Sequence, residues 1–166
     1  MAVSNGLFIL HDLHLKLQAV QDELQKGPRL IKAKENVLAK KQAELEQAKS
    51  KHTEQRKLAD QKNLQLKTNE NKLVDLNTKL NMASTNREFD ILKGQIAADK
   101  MANSVLEDEI LDCMEQVDLL KGKIAEAEKV VADAKDDVRK MADQVSAAEA
   151  RSEEHTSELQ SRFGIS

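Results

Sequence analysis

The chain has no tryptophan and no tyrosine, and among its 166 residues there are only three phenylalanines, one proline, five glycines and one cysteine. Three aromatics are too few to fill the centre of a globular domain, whereas a narrow seam between helices needs only medium aliphatic side chains. So few turn formers leave room for few chain reversals. Cys113, alone, excludes a disulfide framework and a thiolate zinc site within one chain. No apolar run approaches the roughly 20 residues that cross a bilayer as a helix. Residues 1–10 have neither the basic start nor the cleavage pattern of a secretory signal. A formal net charge of −3 gives no general attraction to nucleic acid. No phosphate-binding loop, nucleophile elbow or dinucleotide fingerprint occurs. The expectation is a cytoplasmic protein that is not an enzyme and binds no cofactor itself.

What the chain does have is a heptad. In the N-terminal half one seam position reads Leu10, Leu17, Leu24, Ile31, Leu38, Leu45, His52, Ala59, Leu66, Leu73 and Leu80. Nine of these eleven are Leu or Ile, far from chance in a chain that is 33% charged. The companion set is more polar: Leu13, Val20, Gly27, Lys34, Lys41, Ala48, Gln55, Lys62, Asn69, Leu76 and Ala83. In the C-terminal half both rows are stronger. One runs Phe89, Ile96, Asn103, Ile110, Val117, Ile124, Val131, Val138 and Val145, the other Leu92, Asp99, Leu106, Cys113, Leu120, Ala127, Ala134, Met141 and Ala148. A sustained period of 3.5 residues implies a left-handed supercoil.

The frame resets between Leu80 and Phe89. There Thr85 is followed three residues later by Glu88, a capping-box pattern. The prediction is an all-α fold, a long antiparallel two-helix coiled-coil hairpin with arm one over about 7–82, a tight turn at about 82–85 and arm two over about 86–150. Folding there pairs residues whose numbers add to about 169, so Leu73 meets Ile96 and Leu45 meets Ile124. Asn103 falls opposite Leu66, and Asn69 comes level with Asp99 and Lys100, as a polar layer that fixes register. Charge supports the pairing. Residues 29–82 carry 13 basic and 7 acidic side chains, residues 86–150 carry 9 and 16. An intermolecular antiparallel pair satisfies the same pattern, but the short turn makes closure within one chain entropically easier. Gly27-Pro28 is the one strong breaker, because proline inside a helix removes a hydrogen bond and clashes with the preceding turn. A kink or short break is expected there, with residues 7–26 still on the seam.

The segment Ser84-Thr85-Asn86-Arg87-Glu88-Phe89-Asp90-Ile91-Leu92 and the later run Glu107-Asp108-Glu109-Ile110-Leu111 resemble a bacterial family. Its members join a coiled-coil hairpin to a C-terminal four-cysteine zinc ribbon. In that family a T-N-x-E-[FY] segment follows the bend and an acidic run comes after it. The resemblance covers roughly residues 7–150. It implies a transcription-related protein partner, including an alternative sigma factor that the protein chaperones, and it also implies RNA binding. It implies zinc in the ribbon, but this chain has neither of the ribbon's two C-x-x-C pairs. Residues 151–161, Arg-Ser-Glu-Glu-His-Thr-Ser-Glu-Leu-Gln-Ser, look like the translation of a common DNA-sequencing adapter. The seam agrees, since the next heptad slots are the polar Ser152 and His155. Residues 151–166 are therefore read as a non-native tail, and the intact gene is expected to continue into a Cys-rich segment.

Candidate interaction residues fall in two groups. The bend gathers Met82, Thr85, Asn86, Arg87, Glu88 and Phe89 as a docking surface for a protein, although turn chemistry alone would account for the same residues. The basic arm, with Lys32, Lys34, Lys40, Lys41, Lys49, Lys51, Arg56 and Lys57, can touch phosphate. Without aromatics to stack bases, such binding would be salt-sensitive and indifferent to sequence. Neutralisation of one arm by the other is the preferred reading of those lysines. His11 and His14, one turn apart, lack a third ligand spaced to join them in a metal site. His52 and Cys113 occupy seam slots and read as packing residues. Glu107, Asp108, Glu109 and Asp112 read as a solvated face or as partners of the basic arm, since a coiled coil offers no cleft to desolvate them. A purely structural spacer is the alternative to both interaction readings. The chain is expected to be a monomer or a weak homodimer, with no membrane association.

Overall fold

The computed structural model describes the backbone of residues 2–164 and the side chains of residues 6–164 other than 159 and 163. It contains two helices, α1 from Ala2–Asn81 and α2 from Asn86–Phe163, folded as a hairpin. Both run past the expected arms: α1 begins at Ala2, across Gly6, and α2 meets no breaker beyond residue 150 until Gly164. That glycine sits at φ 62°, the left-handed conformation that closes many helices. Of the tail, residues 165 and 166 lie outside the described residues.

Burial follows the heptad closely. From Gly27 to Ala83, each seam position of α1 is buried or half-buried, and Lys49 is the one shielded residue off that frame. On α2 the seam is shielded from Leu92 to Val145. The chain divides into two compact units, residues 45–127 with the bend, and residues 1–44 with 128–166. In the first, the core is Leu45, Ala59, Leu76, Ile96, Leu106, Ile110 and Cys113. In the second, Val131 is buried and Ile31, Leu38, Ala134 and Val138 are half-buried. These are thin cores, as a two-helix seam dictates: each side chain faces one partner helix and keeps one flank in water.

The register differs from expectation. In the unit that holds the bend, Lys62 pairs with Glu109, and Lys72 lies 3.7 Å from Asp99. In the other, Lys34 lies 3.4 Å from Asp137. The numbers of each pair add to 171 rather than 169. The turn itself lies at residues 82–85, between Asn81 and Asn86, where it was expected. Tightened bonds from Met82 N to Lys79 O (3.1 Å) and from Ala83 N to Leu80 O (3.3 Å) close the end of α1. In the corrected register Asn103 comes level with Thr68 and Asn69 instead of Leu66.

Gly27-Pro28 does not break α1, which is helical throughout. A Cβ added at Gly27 would lie 2.6 Å from Cγ1 of Val145, so α2 approaches closely where the side chain is missing. That contact and the unbroken heptad phase from Leu24 to Ile31 hold the helix across the proline. Arg29 also donates to Oε1 of Gln25 at 3.4 Å, bridging the weakened turn. Gly94 and Gly122 face open space. Residues 7–26 do not continue the closed seam as expected. They are helical, but their leucines are exposed.

Candidate functional site

The bend is built by a cap. Thr85 starts α2: its Oγ1 accepts from Glu88 N at 3.2 Å, and its carbonyl accepts the first helical bond from Phe89 N at 3.0 Å. The Glu88 carboxylate reaches back, as a capping box requires, but accepts from Ser84 N at 3.4 Å, one residue further than the usual partner. Orphan amides at the start of a helix are costly, and the Thr85 hydroxyl satisfies that of Glu88. Thr85 and Glu88 are thereby committed to turn chemistry. The remaining bend residues are free to face outward. Met82 is 77% exposed and Phe89 43%, with Asn86 and Arg87 also exposed.

Sequence reasoning placed Phe89 on the seam and passed over Ile91, which is 61% exposed two residues on. The signal was present: Ile91 is an apolar residue off the heptad, beside seam position Leu92. Exposure alone does not single out the bend, since Leu64, Met101 and Leu111 are also largely exposed in the same unit. What distinguishes the bend is that exposed Met82, Arg87 and Phe89 flank a backbone pinned by the cap.

The basic residues divide. Lys41 is bonded to Glu44 of its own helix at 2.9 Å, and that hydrogen bond lowers the Glu44 carboxyl below its usual pKa of 4.5. Lys49 is half-buried and has a partner. Lys40, in the unit of residues 1–44 with 128–166, is exposed; Lys51, Arg56 and Lys57, in the bend-containing unit, are exposed as well. Ion pairs across the arms include Lys34, Lys62 and Lys72. Arm neutralisation therefore occurs, but largely through lysines on or beside the seam. Lys62 is held above the usual 10.5 by the hydrogen bond it donates to Glu109.

The other singled-out residues take packing or solvated positions. His52 is half-buried and lines a groove with Arg56, Val117 and Lys121. Cys113 is buried at 8% exposure. Glu109 pairs with Lys62, while Glu107, Asp108 and Asp112 are exposed. His11 and His14 share an open apolar face with Leu7, Leu10, Leu13 and Leu17. Among the described residues no three of His, Cys, Asp and Glu come together as a metal cluster, and no helix is long and apolar enough to cross a membrane. No protein-family model, curated protein or solved structure matches the chain.

Proposed function

We propose that this chain is a coiled-coil adaptor, not an enzyme, that presents the bend between α1 and α2 to a protein partner. The observation that carries the reading is the exposed set Met82, Arg87, Phe89 and Ile91 on a bend whose backbone is fixed by Thr85 and Glu88. Large apolar groups with an adjacent arginine are the usual anchors of protein interfaces, and a preorganised backbone lowers the ordering cost of binding. The resemblance of the bend segment to the hairpin and zinc-ribbon family makes a transcription component, such as an alternative sigma factor, the partner to test first. Zinc would belong to the ribbon of such a family member rather than to these helices.

The test is a titration of the purified chain against an alternative sigma factor, followed by light scattering or anisotropy. The expected result is saturable binding that weakens about tenfold or more in Phe89→Ala, with helical content unchanged. Equal affinity of the variant would remove the bend from the interface. No binding at all would remove the sigma-factor partner.

A second reading is supported by Lys40, Lys51, Arg56 and Lys57, exposed on the basic arm. These fit a sequence-indifferent contact with RNA phosphates, with affinity falling steeply as salt rises. Absence of RNA binding at low salt would remove it.

A further inference from the structure

In the unit of residues 45–127, α2 carries a second pair of heptad rows on its back. Two residues beyond the seam positions, about 200° round the helix, stand Ile91, Gly94, Ala98, Met101 and Val105. All five are exposed, Ile91 at 61%, Met101 at 77% and Val105 at 59%. Nothing lies within 4 Å of the place a Cβ would take at Gly94. The stripe is bounded by charge. Before it the same rows hold Arg87, and after it Asp108, Asp112 and Glu115, all exposed. On α1 of the same unit the corresponding rows read Glu54, Lys57, Gln61, Leu64, Thr68 and Asn71, polar apart from Leu64. A contiguous apolar stripe on the back of a helix, unused by the seam, marks a contact surface.

We propose that residues 87–112 of α2 pair with the same segment of a second copy of this chain, antiparallel about a two-fold axis between Ala98 and Met101. Self-complementarity is the first argument. With the axis there, Val105 of each copy lies over Gly94 of the other and Met101 over Ala98, so a large side chain fills the space above a small one at every central level. Charge is the second. The same register sets Arg87 of each copy level with Asp112 of the other, with Asp108 one turn away. A parallel pair would instead set arginine on arginine and aspartate on aspartate. Exposed ion pairs of this kind fix direction more than strength. The area sets the strength. Three medium side chains remove on the order of 100 Å² each from water, and with the small residues between them the stripe hides about 400 Å² per copy. A standard stable interface buries about 800 Å² per partner, so the pair is reversible and dissociates at about 10–100 µM. The fit of the stripe to its own reverse points to a copy of this chain rather than to a foreign helix. A lipid surface suits it less well, because the stripe ends in carboxylates, whereas helices that lie on membranes are rich in lysine and arginine. The face shares Arg87 and Ile91 with the bend, but its centre, from Gly94 to Val105, lies outside it, so the pairing stands apart from the adaptor reading.

Sedimentation equilibrium of the full chain from about 1 to about 300 µM tests the pairing. The expected result is a monomer–dimer equilibrium for the wild type and a monomer throughout for the double variant Met101→Lys, Val105→Lys, with unchanged helical circular dichroism. Both side chains are more than half exposed in the single chain, so the substitution leaves the hairpin intact. Arg87→Asp should weaken the dimer about tenfold, and adding Asp112→Arg should restore it to within about threefold. A wild-type chain monomeric throughout would overturn the proposal. So would a lysine variant that dimerises equally well, a charge reversal that restores nothing, or a monomer that co-sediments with phosphatidylcholine or phosphatidylglycerol vesicles. Should the lysine variant lose helix, a nitroxide at Ala97→Cys in a Cys113→Ala background reads the contact directly. Pairing gives an intermolecular dipolar signal that vanishes on dilution with unlabelled chain, and its absence at about 300 µM, above the dissociation range, counts against the pair.

Discussion

Asn103 is 6% exposed on a seam otherwise built from aliphatics, and its Oδ1 has no hydrogen-bond partner. A buried amide oxygen without a donor carries its desolvation cost uncompensated. In the observed register it lies level with half-buried Asn69, and half-buried Asp99 stands one turn away with an oxygen also short of a hydrogen bond. Lys72, at 3.7 Å, gives that carboxylate a charge partner but not a close bond. One polar layer in a coiled coil lowers stability and selects register, because any slip would place the amide against leucine. Asn103→Leu should therefore raise the stability of the hairpin by about 1–3 kcal/mol in urea denaturation. A loss of stability would mean that the amide is satisfied in solution and contributes to the fold directly. The heptad made this layer visible from sequence, but not its partner, which depends on the register.

Elements show where sequence pattern suffices and where it does not. Seam positions from Gly27 to Ala83 and from Leu92 to Val145 were legible because burial in a coiled coil repeats with the same 3.5-residue period as the apolar pattern. The bend was legible because Thr85 and Glu88 stand at the spacing that a cap demands. The register was not: the ion pairs add to 171 where the pairing was read at about 169, and the heptad alone does not encode that offset. Of the kink or short break expected at the proline, the break does not occur, and α1 stays helical across it. The proline's cost is local, whereas the close approach of Gly27 to Val145 beside it is made by residues far apart in sequence. Leu10, Leu13 and Leu17 stand at heptad positions but are exposed, because whether a seam closes depends on what lies opposite. The cap itself can be weighed. Thr85→Ala removes the acceptor for Glu88 N and should cost about 1 kcal/mol, read from thermal or urea unfolding. Thr85→Ser should restore most of it. Equal stability of Thr85→Ala would show that water replaces the hydroxyl and that the bend needs no cap.

Across the whole chain, the asymmetry of charge is the property that most plainly joins the two helices. One arm is basic and the other acidic, and ion pairs between α1 and α2 occur in both compact units. Pairs this exposed are individually weak and are screened by salt. Their signature is best sought in pH, at Lys62, the most shielded of the paired lysines. Its hydrogen bond to Glu109 raises its folded-state pKa above 10.5, so the unfolded chain releases this proton first as pH climbs. A group raised on folding contributes fully below its unfolded pKa and loses that contribution as pH passes through the folded value. Glu44 acts in the opposite sense. Lowered by its bond from Lys41, it contributes above about 4.5 and is lost as pH falls below its folded value. The stability difference between the chain and Lys62→Met, followed by urea denaturation, should thus stay level from about pH 7 to about pH 10 and shrink steadily above 10.5. Added salt should shrink it at every pH, because a side chain this close to solvent is screened. A difference that persists above the lysine range would assign the role of Lys62 to its aliphatic stem packed on the seam, and the attraction between the arms would then rest on the remaining charges.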